Sequence, residues 1–268
     1  MLIPSPQTSC ASIALVRLLT TLCLVLLAGG CVPNGPPTST DSQGTPKTST
    51  KRSAAKRANP APKKPAKQGS DSPPLTEVFE DDFERESLGS HWNATSPVWR
   101  IENGQLCGKG ARNRPVWLAR SLPTNVRIEF DATSDSPDGD LKAEIFGDGR
   151  SAARAVSYND ATSYLTIFGG WKNKFHVLAR RNEHASDRPE IRIEPGSDDE
   201  RAQPVVPGQT YRFKIERADG KTIKWWVDDV LMFSFKDPDP LKGPGHDHFG
   251  FNDWEARVCF DNVKITPL

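Results

Sequence analysis

The sequence predicts an all-β fold of two packed antiparallel sheets, and three observations predict it. From Val78 onward, short β-branched and aromatic runs recur about every 8 to 12 residues, separated by glycine, proline, asparagine or aspartate. Within the runs apolar and polar residues alternate with period two. No segment keeps a helical period, and eleven runs are too many for one open sheet of ordinary size.

The first run, 78–83, opens the body, and 116–119 follows after a long irregular stretch. In 126–132, Val126, Ile128 and Phe130 face one way while Arg127, Glu129 and Asp131 face the other. The same reading sets Leu141, Ala143 and Ile145 of 141–146 against Lys142, Glu144 and Phe146. Runs 164–168, 175–180 and 191–194 come next, then 211–217, where Tyr211, Phe213 and Ile215 alternate with charged residues. An Asp219-Gly220 turn predicts a hairpin into 222–227, with Ile223, Trp225 and Val227 toward the core and Trp226 outward. Runs 231–235 and 258–265 complete the set.

What precedes the body is of another kind. After Arg17, the apolar run 18–28 has eleven residues, too few for the roughly 20 that span a hydrocarbon core, and small residues follow it directly. That is the layout of a secretory signal peptide, residues 1–30. The cysteine behind those small residues, Cys31, resembles the bacterial lipobox, with Leu27 one step earlier than the usual pattern. The resemblance implies lipidation of Cys31 and a palmitate-bearing lipoprotein in the cell envelope. Val32, rather than aspartate, follows the cysteine, which favours sorting to the outer membrane or cell surface.

Residues 31–75 read as a disordered tether: from Val32 to Leu75 there are nine prolines and no aromatic residue, so chain entropy is not offset by burial. This stretch carries eight basic and two acidic residues, net +6, whereas 76–268 carries 26 basic and 32 acidic residues, net −6. The near-neutral total of +1 hides the split. A basic tether beside a lipid is drawn to anionic headgroups, or it simply keeps the tether soluble and extended. Nucleic acid is excluded as a partner because no aromatic residue interleaves with these lysines, and the expected state is a monomer.

Several residues of the body carry a family likeness: Phe79-Glu80-Asp81-Asp82-Phe83, Trp99, Asn103-Gly104-Gln105-Leu106, Gly139-Asp140, Trp225-Trp226-Val227-Asp228 and Phe260-Asp261-Asn262-Val263-Lys264-Ile265. Together they resemble the concanavalin A-like lectin and glucanase jelly rolls, including laminin-G-like and 3-keto-disaccharide hydrolase-like domains. The resemblance implies a jelly-roll sandwich over 76–268 whose first strand lies beside its last. It implies no single activity, since this architecture carries binding modules and hydrolases alike.

A glycosidase needs two carboxylates flanking the scissile bond. Glu129 and Glu144 are the catalytic candidates, with Arg180 as a clamp. The competing reading is a ladder of cross-strand ion pairs with Arg127 and Lys142. There is no Gly-x-Ser-x-Gly nucleophile motif and no phosphate loop. His246-Asp247-His248 with Asp253 has zinc-ligand chemistry inside an ordinary Gly-Pro-Gly loop. Asp82 beside Asp261 at paired strand ends would offer oxygen ligands to a structural calcium, the one cofactor expected. Cys107 and Cys259 are the only thiols of the exported body, which predicts a disulfide. Outward rings can stack on sugar faces, and Tyr164, Trp171, Arg180, Trp226 and Trp254 form the predicted carbohydrate groove. The expected function is a membrane-anchored, extracytoplasmic, non-catalytic carbohydrate-binding lipoprotein. A glycan-degrading hydrolase with an unusual carboxylate pair, and a structural envelope lipoprotein without a small ligand, remain open beside it.

Overall fold

The computed structural model describes residues 72–268; the signal peptide, the lipidation at Cys31 and the tether before Ser72 lie outside the described residues. In chain order the strands are β1 (Phe79–Asp81), β2 (Trp92–Ala94), β3 (Arg100–Glu102), β4 (Gln105–Lys109), β5 (Val116–Leu118), β6 (Val126–Ser134), β7 (Leu141–Gly147) and β8 (Tyr164–Gly169). They continue with β9 (Phe175–Arg180), β10 (Glu190–Arg192), β11 (Thr210–Arg217), β12 (Thr222–Val227), β13 (Val230–Lys236), β14 (His248–Asn252) and β15 (Arg257–Pro267). One sheet runs β13-β12-β11-β6-β15-β4-β3, with β1 also on β15, and the other runs β10-β9-β8-β7-β14-β5-β2. All pairings between these strands are antiparallel, and Phe79 of the first strand sits opposite Ile265 of the last. This is a two-sheet antiparallel jelly-roll sandwich.

The eleven expected runs all become strands. β2, β3 and β4, not foreseen, are short and interrupted by turn residues such as Asn103-Gly104. The fourth unforeseen strand is β14, hidden behind Gly243-Pro244-Gly245, yet it is buried along its length between β7 and β5. Its Gly250, with Gly147 of β7, makes room for Trp117: a Cβ on either would lie 2.8 Å or less from the indole.

Between the sheets, alternate residues interdigitate as the period-two pattern requires. Across the sheets Phe251 stacks on Phe260 at 4.0 Å and meets Phe130 edge-on at 5.0 Å, and within one sheet Phe130 stacks on Phe213 at 4.9 Å and Trp225 on Phe233 at 5.5 Å. β7 departs from the expected single buried face, because every one of its residues is buried. Phe146 departs further. The register slips between His248 and Phe249, and Phe146 takes φ 60°, so a bulge turns its ring into the core instead of onto the Lys142–Glu144 face.

The second layer explains the buried outer face of β7. Leu165, Ile167, Val177 and Ala179 pack with Tyr158 and Ala161 in a smaller apolar cluster. Register places Lys142 against Ile167 and Glu144 against Leu165, so both charged residues share this face. The chain between β7 and β8 thus covers a sheet surface that would otherwise be wet.

Residues 72–75, read from composition as tether, are described and lie against the body. Leu75 is buried and donates its N–H to the Ser121 carbonyl at 2.8 Å, the Ser121 N–H donates to the Pro73 carbonyl at 3.0 Å, and Arg120 donates to the carbonyls of Pro73 and Pro74 at 3.1 and 2.9 Å. His248 fastens the strap, with Nε2 2.9 Å from Ser72 Oγ and Nδ1 2.8 Å from Asp247 Oδ1. Cys107 and Cys259 face each other directly across β4 and β15 and are disulfide-bonded.

Candidate functional site

A cleft of about 560 Å³ opens on the outer face of the seven-stranded sheet. That volume falls within the range of small-ligand sites. Its floor comes from β7 and the residue before it. Asp140, at φ 66° just ahead of the strand, and Lys142 within it both line the cleft. Lys142 Nζ donates to Asn113 Oδ1 at 2.7 Å and Glu183 Oε2 at 3.0 Å, with Asp140 Oδ1 at 4.0 Å. Asn113 in turn donates to Glu183 Oε1 at 3.2 Å.

Two tryptophans line the same cleft. Trp171 sits in the tight connection between β8 and β9. Gly169, Trp171, Lys172 and Asn173 all adopt positive φ, from 52° to 78°, and only the glycine does so without steric cost. Asn173 holds this turn in place: its Nδ2 donates to the Val205 carbonyl at 2.8 Å and to that of Pro137 at 3.2 Å, and its Oδ1 accepts from Val205 N–H at 2.9 Å. Strain stored in this way concentrates at ligand sites. The Trp171 ring lies edge-on to His184 at 5.7 Å, and the Arg188 guanidinium stands 4.4 Å from its centroid. Trp254, between β14 and β15, donates its backbone N–H to Asp140 Oδ2, and its carbonyl accepts from Arg112 N–H at 2.9 Å.

The electrostatics beneath the cleft are those of charges held away from water. Burial raises the Asp140 carboxyl above its usual range, against the pull of Lys142 and the Trp254 N–H. Burial alone would lower Lys142, but Glu183 and Asp140 outweigh it and leave its ammonium firmly protonated. Asp253, wholly buried, is pushed up to about 7 by burial and by Asp140, and its Oδ2 has no hydrogen-bond partner. Glu144 is pushed up to about 7 by burial, although Ser163, Tyr158 and Asn252 all donate to it at 2.6 to 3.0 Å.

Of the five predicted carbohydrate contacts, the structure brings two together, Trp171 and Trp254. Tyr164 is fully buried in the core, donating to Asp237 Oδ2 at 2.6 Å and accepting from Leu241 N–H at 2.9 Å, so it presents no ring to a ligand. Arg180 is engaged with Asp237 at 2.8 Å and with Asp239 at the domain edge. Trp226 does face outward, but on the other sheet, with Lys214 Nζ 4.7 Å from its ring.

The catalytic pair is corrected outright. Glu129 lies on β6, facing Lys214 and Lys264 in register, and Glu144 lies on β7 of the opposite sheet, so no single bond can sit between them. Glu144 is also wholly buried and does not line the cleft. The suggested zinc ligands are committed elsewhere: His246 Nδ1 bonds to the Thr162 carbonyl at 2.7 Å and His248 fastens the strap. Asp82 and Asp261 gather no third calcium ligand. Among the described residues no group of three or more His, Cys, Asp or Glu side chains could hold an ion.

Sequence reasoning missed Asp140, Lys142, Glu183 and Asn113. The signal was present in Asp140-x-Lys142-x-Glu144, polar residues at alternate positions, the last two on one strand and the first just ahead of it. It read as a solvated ladder because nothing in the sequence shows that the 148–163 chain and the 183–184 loop close over that face.

Comparison with solved structures finds similarity to the carbohydrate-binding module CBM66 from Bacillus subtilis, at 18% identity over 67% of this chain and 98% of that one, TM-score 0.49. The laminarinase from Rhodothermus marinus is similar at 15% identity over 71% and 96%, TM-score 0.47. The Bacillus licheniformis beta-glucanase is similar at 8% identity over 72% and 98%, TM-score 0.47. No curated protein matches the chain. Residues 135–263 match the family model described as DUF6250, a domain of unknown function.

Proposed function

We propose that the body is a non-catalytic carbohydrate-binding module, displayed outside the cytoplasm on the tether that follows a lipidated Cys31. The observation that carries the reading is the convergence of Trp171 and Trp254 on one cleft floored by Asp140, Lys142 and Glu183. Indole rings offer large apolar faces to the C–H surfaces of sugars, and a carboxylate beside an ammonium supplies acceptor and donor for neighbouring hydroxyls. Buried ion clusters cost folding free energy, and a cluster retained under a cleft is a binding-site signature.

Hydrolysis finds less support. The carboxyl closest to the acid role, Glu144, is sealed under Tyr158 and Asn252 and has no path to a substrate. A glycan panel tests the reading directly. Retention on at least one immobilised glycan, weakened at least tenfold by Trp171→Ala or Trp254→Ala and unaccompanied by reducing-end release, supports binding. Release of reducing ends supports the hydrolase reading, and no retention on any glycan supports a structural role.

A further inference from the structure

The charge of the cleft floor points to a narrower ligand class, and this step rests on the carbohydrate reading above. Three charged side chains are shielded within the lining: Asp140, Lys142 and Glu183, with side chains 12%, 3% and 8% exposed. Lys142 is already spent. Its ammonium serves Asn113, Glu183 and Asp140 together, so two carboxylates share one cation and one negative charge is left over.

Asp253 beneath brings no further cation. It is wholly buried, close enough to Asp140 to feel its charge, and one of its carboxyl oxygens has no partner. At the rim, His184 Nε2 stands 3.4 Å from Glu183 Oε1, and Asp138 and Glu255 oppose Lys172 and Lys174. Those last four groups face water, where charges are screened over about 8 Å at physiological salt, and they cancel in number. The shielded floor therefore sets the preference.

A negative excess in a partly dry site favours an added cation and opposes an added carboxylate. A sugar ring can carry one compact cation, the ammonium of a hexosamine, whose three N–H donors suit the free lone pairs of Asp140 and Glu183. We infer that the cleft selects a glycan bearing free amino groups, of the glucosamine type, over neutral and uronate glycans, with the ring held by Trp171 and Trp254 and the ammonium on Asp140 and Glu183.

Calorimetric titration of the full-length protein with three oligosaccharides of equal length tests this: glucosamine oligomers, their N-acetylated form and oligogalacturonate. The expected order is glucosamine at least tenfold tighter than the N-acetylated form, and oligogalacturonate weakest. Glu183→Gln and Asp140→Asn should each erase the glucosamine advantage, and either alone suffices if the other fails to fold. Trp171→Ala, which leaves every charge in place, should weaken the glucosamine oligomer too; if it does not, the attraction is non-specific and the inference falls. Equal or tighter binding of the N-acetylated or acidic oligomer overturns the charge selection while leaving the carbohydrate reading intact. Binding of none of the three, on a protein that also retains no glycan in the wider panel, ends both.

Discussion

Asp140 accepts the backbone N–H of Trp254 while its other carboxyl oxygen lies 4.0 Å from Lys142 Nζ, so one side chain ties a wall of the cleft to its floor. Removing that carboxylate strands a buried N–H and unbalances a buried ammonium. Asp140→Ala should lower stability by about 1–3 kcal/mol in urea denaturation and weaken glycan binding in the same variant. Unchanged stability would mean the tie carries no strain-bearing role.

The turn that presents Trp171 is a second test. Lys172 holds φ 60° without being glycine, which costs about 1–2 kcal/mol. Lys172→Gly should recover part of that, offset by the greater freedom of glycine in the unfolded chain, and shift the denaturation midpoint upward or leave it level. Asn173→Ala removes the side-chain bonds to Val205 and Pro137 and should lower stability by about 1–3 kcal/mol, with loss of binding.

The Cys107–Cys259 bond joins residues 152 apart in sequence. On the chain-entropy account a loop that long stabilises by about 4–5 kcal/mol. The double substitution to alanine should lower stability by a large part of that amount, and reduction should add the mass of two hydrogen atoms and bring the same loss of stability.

His176 and Glu144 give stability opposite pH dependences. His176 is buried, its Nδ1 accepts from Gly169 N–H, and its Nε2 donates to the Gln203 carbonyl, so it stays neutral with its pKa lowered by burial to about 4. The unfolded chain takes up that proton below about pH 6.5 and the folded chain does not. Its contribution is complete above pH 6.5 and is lost as pH falls toward 4, by roughly 3 kcal/mol. Glu144 runs the other way. Its folded pKa of about 7 exceeds the unfolded value, so the folded state keeps the proton longer and stability is lost as pH rises from about 4.5 through 7. Urea titrations at pH 4.5, 6 and 7.5 should show His176→Gln flattening the acid-side loss and Glu144→Gln flattening the neutral-side loss. A variant with the parental pH profile would overturn its half of this account.

The amino-acid pattern alone determined the layering, because period-two alternation in runs such as Val126–Ser134 commits one face to the core whatever the neighbours are. It also determined which connections carry the cleft-lining rings, since Gly169-Gly170 and Asn252-Asp253 mark turns and a tryptophan follows each. The tertiary structure decided everything that depends on which strands are neighbours. Glu129 and Glu144 read as partners on one polar surface, yet β6 and β7 belong to opposite sheets. Tyr164 and Trp226 read as walls of one groove, yet one ring is core and the other lies on the far side of the sandwich. The cleft itself joins residues from 138 to 256 through antiparallel pairing and a covering chain. Local periodicity fixes the direction of a side chain, but only long-range strand order and the packing of that chain fix what it meets.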